Sequence, residues 1–319
     1  MITYSTYATP RADLGEAFHE FSPDGMTFIA PLILPDASVP KDEGTVTVIT
    51  RENMRSDEAE RAEGGTFQRI DITGEDLTYL CKNYGLEIPV TDRERKKYVD
   101  DFQVELEKIA ILRLRMLLAR ELRVKNLIFN TTTWTGDDLY TDRSGAPWDN
   151  AGSDIIAHVV AAKEKVRSMT GVKANALIVS EATVNNMIAN TGIQGRFPDN
   201  VLLTVELLRQ QMAAIFGLQK LLVGDTVYNT ADEGQSFSGS DIWPDDYAMV
   251  ARVAEGPGMP MTTPCVGRTL RWTDMVNNVD GSPEQYREEQ TKSEIYRMED
   301  YLQEKVIDAY FAHLMKIDE

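Results

Sequence analysis

Four aspartates, Asp137, Asp138, Asp142 and Asp149, crowd one polar loop, and carboxylates on a flexible loop suit hard cations such as Ca2+ or Mg2+. On that reading the chain would be a cytosolic metal-dependent enzyme. The spacing argues against it, because a helix–loop–helix calcium site alternates its ligands and closes on a Glu, and this loop does neither. A solvated acidic loop is the plainer account. Asp245 and Asp246, after Pro244, read first as an acidic turn and only second as a ligand pair. The three histidines, His19, His158 and His313, stand far apart, and none belongs to an HExxH pair or neighbours a cysteine. His158, beside Val159 on a predicted helix, reads as a satisfied surface or boundary residue rather than a general base. Cys81 and Cys265 are the only cysteines and form no CxxC, so a zinc ribbon or redox motif is absent. Buried thiols in a reducing compartment are expected, with a disulfide between them left open. A GxSxG elbow, a GxxxxGK[ST] loop and a GxGxxG after the first strand of an α/β unit are all missing. Gly256-Pro257-Gly258 reads as a turn, and the scattered Trp134, Trp148, Trp243 and Trp272 read as packing residues. No catalytic, cofactor-binding or metal-binding residue is assigned, and no cofactor is expected.

The elements around these residues follow from composition and pattern. The 319 residues suggest about two compact units, and a 42% hydrophobic content is enough for a sizeable core. With 51 acidic against 33 basic residues the formal charge is −18. Such a surface repels nucleic acid and anionic lipid, and no Lys/Arg cluster offers phosphate contacts. The N-terminus lacks a basic region followed by an apolar run, and no stretch is apolar for 18 residues, so the protein is expected to stay in the cytoplasm.

Residues 1–40 are punctuated by Pro10, Pro23, Pro31, Pro35 and Pro40, yet carry Phe18, Phe21, Phe28, Ile29, Leu32, Ile33 and Leu34, which predicts an extended segment with buried anchors. Thr45–Ile49, a charged stretch Arg51–Gly65, and the alternating Phe67–Ile72 predict a long hairpin with a projecting tip. Residues 92–129 lack Gly and Pro and space Val99, Phe102, Leu106, Ile109, Leu112, Met116, Leu117, Leu122 and Ile128 helically. Acids at the start of that stretch and Arg113, Arg115, Arg120, Arg123 and Lys125 towards its end complement the helix dipole, so one long strut is expected. Thr131–Asn150 reads as a boundary loop. Ser153 and Asp154 can cap a helix that Gly171 ends. Ala176–Val179 is a buried strand candidate, Ser180 caps a second helix, and Thr204 caps a third that stops at Gly217. Leu221–Val223 and Tyr247–Val253 read as strands, which makes a compact α/β unit, and the last segment, Cys265–Glu319, starts with the strand-like Thr269–Trp272. Ile295–Met298 could be a strand, and Leu302–Met315 is open between helix and strand.

This order, with its landmarks Trp148-Asp149-Asn150, Gly171–Ser180, Ala213–Gly224, Tyr228-Asn229 and Ile242–Val253, resembles the major capsid proteins of tailed bacteriophages, the Hong Kong 97-type coat fold. The resemblance implies an α+β chain. Residues 1–40 would be an N-terminal arm, and 41–90 an extended loop hairpin over the adjacent subunit. Residues 91–148 would be a peripheral domain with a spine helix, 149–285 an α/β axial domain, and 286–319 a return to the peripheral domain. It further implies a structural protein that is not an enzyme, self-assembling as pentamers and hexamers into an icosahedral shell around double-stranded DNA. The partners implied are further copies of itself, a separate scaffolding protein, a portal and a decoration protein, with packaged DNA held without specific binding and no membrane. Its place would be the virion capsid, assembled in the host cytoplasm. An encapsulin-type nanocompartment shell protein is the nearest alternative. Lys41 and several Asn invite comparison with relatives that cross-link Lys to Asn, but no matching motif is present and cross-linking is not assigned. An acidic shell would let DNA slide without sticking, its repulsion screened within a Debye length of roughly 8 Å.

Overall fold

The computed structural model describes residues 9–10, 27–49, 51–53, 55–56, 60–61, 65, 67, 69–97, 101–196, 211, 214–256, 263–273 and 283–318. Its strands are β1 (Thr9–Pro10), β2 (Asp36–Val39), β3 (Glu43–Ile49), β4 (Gly74–Leu80), β5 (Lys82–Thr91), β6 (Tyr140–Asp142), β7 (Ala176–Ser180), β8 (Lys220–Gly224), β9 (Val227–Asn229), β10 (Gly239–Asp241), β11 (Tyr247–Ala251), β12 (Gly267–Trp272), β13 (Glu284–Glu288), β14 (Ser293–Val306) and β15 (Ala312–Lys316). Its helices are α1 (Ala30–Ile33), α2 (Asp92–Arg95), α3 (Asp101–Ile128), α4 (Ile155–Thr170), α5 (Glu181–Ala189) and α6 (Thr191–Gln194). Most of the expected helix from Thr204 and most of residues 1–26 lie outside the described residues; the described end of that helix, Gln211 and Ala214–Ile215, is helical, and Gly217 follows it with a φ of 63°.

The single long helix predicted over 92–129 is two helices. Thr91 and Glu94 form a capping box that starts α2, which ends at Lys96. Tertiary contacts fasten α2 at both ends: Arg287 donates a two-pronged hydrogen bond to Asp92 at 2.6 and 2.7 Å, and Arg95 donates to Glu105 of α3 and to Tyr296. The 28 residues of α3 span about 42 Å. Its first half buries Val104, Ile109 and Leu112 against Val90 of β5 and Tyr296 and Met298 of β14. Its last turns bury Val124 and Ile128 in a different core, against Ile178, Met249 and Leu314. One helix therefore joins two units.

In the first unit β14 is the shared strand. It pairs antiparallel with β5 along Ser293–Leu302, with β13 at one end of its other edge and with β12 at the other end. β2 adds parallel to β12, and β1 to β13. The second unit is a five-stranded sheet in the order β6-β15-β11-β7-β8. Its central strands β7 and β11 are covered on both faces, which explains their unbroken apolar runs. Leu177, Val179, Ala248, Val250 and Met315 face α4 and α5, while Ala176, Ile178, Met249, Ala251 and Leu314 face the end of α3 with Trp134 and Trp243. Asp154 caps α4 through the Ala157 N–H, Gly171 closes it in the left-handed conformation, and Ser180 caps α5.

Several expectations are revised. The boundary loop 131–150 belongs to the second unit's core: β6 pairs parallel with β15, and Trp134 and Trp148 are fully buried. The C-terminal segment is strand rather than helix. β13 and β14 join the first sheet, but β15, inside the 286–319 segment, pairs with β11 and so ends the chain in the second sheet. The hairpin exists with a shifted partner, since β3 pairs with β4 and not with Phe67–Ile72. The register follows from what can be buried, because a one-residue slip would turn every side chain to the other face. Tyr79 packs across Gly44 and joins Ala37, Val39, Cys81 and Leu270, whereas Phe67–Ile72 meets no such cluster.

Candidate functional site

The residues singled out for chemistry do not converge. Asp142 accepts the Ser144 backbone N–H at 2.9 Å, and this bond holds its carboxyl below the usual range. Asp138 faces Lys165 at 3.3 Å. Among the described residues no three His, Cys, Asp or Glu side chains are grouped to hold a metal ion, and no helix is long and apolar enough to cross a membrane. Cys81 and Cys265 are free, buried thiols, pushed up by burial. His158 accepts the Trp148 indole N–H at its Nδ1, 3.1 Å away. His313 lies between the Asp138 carbonyl at Nδ1 and the Thr141 hydroxyl at Nε2, both at 2.9 Å.

Both of these imidazoles are held below the ordinary histidine range by burial. Their sign is set by linkage: the unfolded chain binds the proton first, so their contribution is full above the unfolded value near 6.5 and is lost as pH falls through the lower folded value. H313N is expected to flatten part of the acid limb of stability below about pH 6.5, read by urea denaturation at several pH values. An acid limb identical to wild type would refute the assignment.

Two arrangements remain that no catalytic motif predicts. The first is a buried polar junction in the last third of α3. Glu121 is fully buried. Its Oε1 accepts the Ala30 N–H at 2.7 Å, and its Oε2 accepts the Trp243 indole N–H at 2.8 Å. Burial pushes its pKa up to about 7 against the opposing effect of these bonds. Next to it, Arg120 donates to Asp36 at 2.5 Å, to Thr269 at 3.1 Å and to the Leu34 carbonyl at 3.4 Å. Arg271 completes the network, reaching Asp36 at 3.1 Å and Asp300 at 2.5 Å. A carboxylate in an apolar stripe was visible in the spacing Leu117, Glu121, Val124, Ile128, though charge pattern alone assigns α3 only a dipole preference.

The second is the hairpin surface. Its base is fastened to its own chain: Gln303 accepts the Leu80 N–H at 2.9 Å, and Lys305 donates to the Thr78 carbonyl. At its far end the Arg51 guanidinium lies 3.4 Å over the Tyr310 ring, so this part of the expected free tip is tied down. Beyond the ribbon, Phe67, Ile70 and Ile72 are 80%, 69% and 74% exposed. Scattered apolar residues are ordinary on a surface; these three lie within six positions of one another.

No family model matches the chain. Its sequence is 24% identical over 251 residues to the major capsid protein of Burkholderia phage BcepMu, covering 76% of this chain and 78% of that protein. Its structure is similar to a phage-related protein from Bordetella bronchiseptica RB50, with a TM-score of 0.72, 18% identity and 98% of each chain covered. It is also similar to the capsid structure of cyanophage P-SCSP1u, with a TM-score of 0.56, 9% identity, and 99% of this chain and 92% of that one covered.

Proposed function

We propose that this chain, which has the α+β coat fold of Hong Kong 97-type phage capsids, is a major capsid protein that assembles through rings of five and six into a closed icosahedral shell around double-stranded DNA. The observation that carries the reading is one architecture running through 98% of both this chain and the phage-related protein. Under it the chain is a building block rather than a catalyst. Residues 1–40 serve as the arm and the loop over a neighbour lies within 41–90; β5, the first half of α3, β12, β13 and β14 make the peripheral unit, and β6, β7, β8, β11 and β15 with α4 and α5 the axial unit, in place of the expected divisions at 148 and 285. Residues 286–319 complete the peripheral sheet and then the axial one. The exposed Phe67, Ile70 and Ile72 are what a second copy covers. Scaffolding, portal and decoration proteins are the further partners, and the shell forms in the host cytoplasm and ends in the virion.

The acidic balance agrees with a wall that meets packaged DNA without specific contacts. The test is imaging and light scattering of the full chain, alone and co-expressed with scaffolding and portal proteins of its phage. Closed particles or discrete rings of five and six are expected, with nuclease-protected DNA in particles packaged in the host. A protein that stays monomeric with those partners present overturns the reading, and particles filled with protein cargo instead of DNA replace it with a nanocompartment.

A further inference from the structure

We propose that Arg268 and Arg252 frame an internal anion site beside Cys265, which takes one small inorganic ion, a halide or an oxyanion.

Arg268 lies on β12, and its side chain is wholly shut off from solvent. Among the described residues none of its Nε, Nη1 and Nη2 atoms has a hydrogen-bond partner. A guanidinium offers N–H donors in a planar fork and does not lose its proton. A buried charge left unmatched is among the most costly features a fold can carry, and buried polar groups are as a rule bonded. Water can accept those N–H groups but brings no opposite charge. The site therefore calls for an anion.

The described residues supply none there. In the antiparallel register Arg268 stands opposite Lys305 of β14, a second cation, whose ammonium donates to the Thr78 carbonyl. Glu304, next to Lys305, turns to the other face of the strand and is taken by Arg123 at 2.8 Å. Asp308 accepts the Tyr310 N–H at 2.9 Å. The thiol of Cys265 lies close enough to feel the charges of both Arg268 and Arg252, but burial outweighs them and pushes it up, so it stays neutral. Arg252 arrives from the other unit, directly after β11, and its carbonyl accepts the Val266 N–H at 2.8 Å. Its Nε is also buried without a partner among the described residues, while its Nη2 faces Glu255 at 3.5 Å.

The enclosure sets the size of the ligand. Arg268 and Val266 are 0% exposed and Cys265 is 1% exposed, which leaves no entry for a side chain carried on another backbone. The Arg252 side chain is 23% exposed at its Glu255 end, and an ion exchanges with solvent from that side. Because one arginine follows the axial sheet and the other sits in the peripheral sheet, an ion held by both also ties the two units together. This inference does not depend on shell assembly.

The experiment is urea denaturation of the full chain at constant ionic strength, with gluconate, too large to enter, replaced stepwise by chloride or by phosphate. The wild-type midpoint is expected to shift upward at unchanged slope with at least one of the two ions. R268M, which removes the charge and keeps the apolar stem, is expected to lack that shift. An equal shift in R268M, or no wild-type shift with either ion, overturns the proposal. Should R268M fail to fold, wild-type crystals grown with bromide and with selenate, heavy stand-ins for a halide and an oxyanion, decide. An anomalous peak within hydrogen-bond reach of the Arg268 and Arg252 guanidinium groups is expected with at least one, and a peak with neither overturns the site.

Discussion

Serine at Phe67, Ile70 and Ile72 together is expected to leave the monomer folded and to abolish closed particles. These side chains are 80%, 69% and 74% exposed, so the monomer loses almost no burial when they are changed. Their contribution appears only on contact with a second copy. Full burial of such a side chain is worth about 1.5–3 kcal/mol, set against the entropy lost on association. Removing three at every contact compounds around a closed shell, because each subunit is held by several neighbours at once. Circular dichroism and the urea midpoint should match wild type, while negative-stain images show no closed particles. Normal particles from the triple variant would remove the patch from assembly, and an unfolded monomer would place it in the core.

The largest loss of stability is expected from G224A. Gly224 ends β8 beside the indole of Trp243, and an added Cβ would stand 2.2 Å from Trp243 Cδ1 and 2.9 Å from its Cβ. The second distance reaches the root of the side chain, so a rotamer change alone does not relieve it. Trp243 is 1% exposed, packs edge-on to Phe129 with ring centroids 5.3 Å apart, and donates to Glu121. Displacing the ring overpacks the core and leaves a buried indole N–H and a carboxylate oxygen without each other. Overpacking costs about 1–3 kcal/mol and an unsatisfied buried polar group a similar amount, so a total of about 2–6 kcal/mol is expected. Urea denaturation should show a lower midpoint at unchanged slope, and near-ultraviolet dichroism a changed tryptophan signal. A shift below about 0.5 kcal/mol would mean that the sheet moves aside for the methyl group.

Phe129, just past α3, and Trp243, of the second unit, meet edge-on, and such contacts mark where sequence reading reaches its limit. Local signals were legible. Asp154 and Gly171 bracket α4, Ser180 opens α5, and Ala176–Val179 announces a strand buried on both faces. The cap, the stop and the apolar run act within a few residues of one another, so the sequence alone determined these elements. Their order with the landmark dipeptides was enough to indicate a coat fold, and the missing motifs and acidic balance argued against an enzyme or a nucleic-acid reader. Tertiary structure decided the rest. β4 rather than Phe67–Ile72 pairs with β3 because Tyr79 finds a buried cluster at the hairpin base. The 14-residue β14 is a strand despite helical spacing in its second half because three other strands pair along it. α2 stands apart from α3 with Arg287 and Tyr296, more than 190 positions away in the chain, holding its ends. Glu121 becomes a buried junction only when Ala30 and Trp243 are brought to it from 91 and 122 positions away. A chain specifies its turns and caps through neighbours along the backbone. Which strands pair, and which charge is buried, depend on side chains that meet only after the fold has closed.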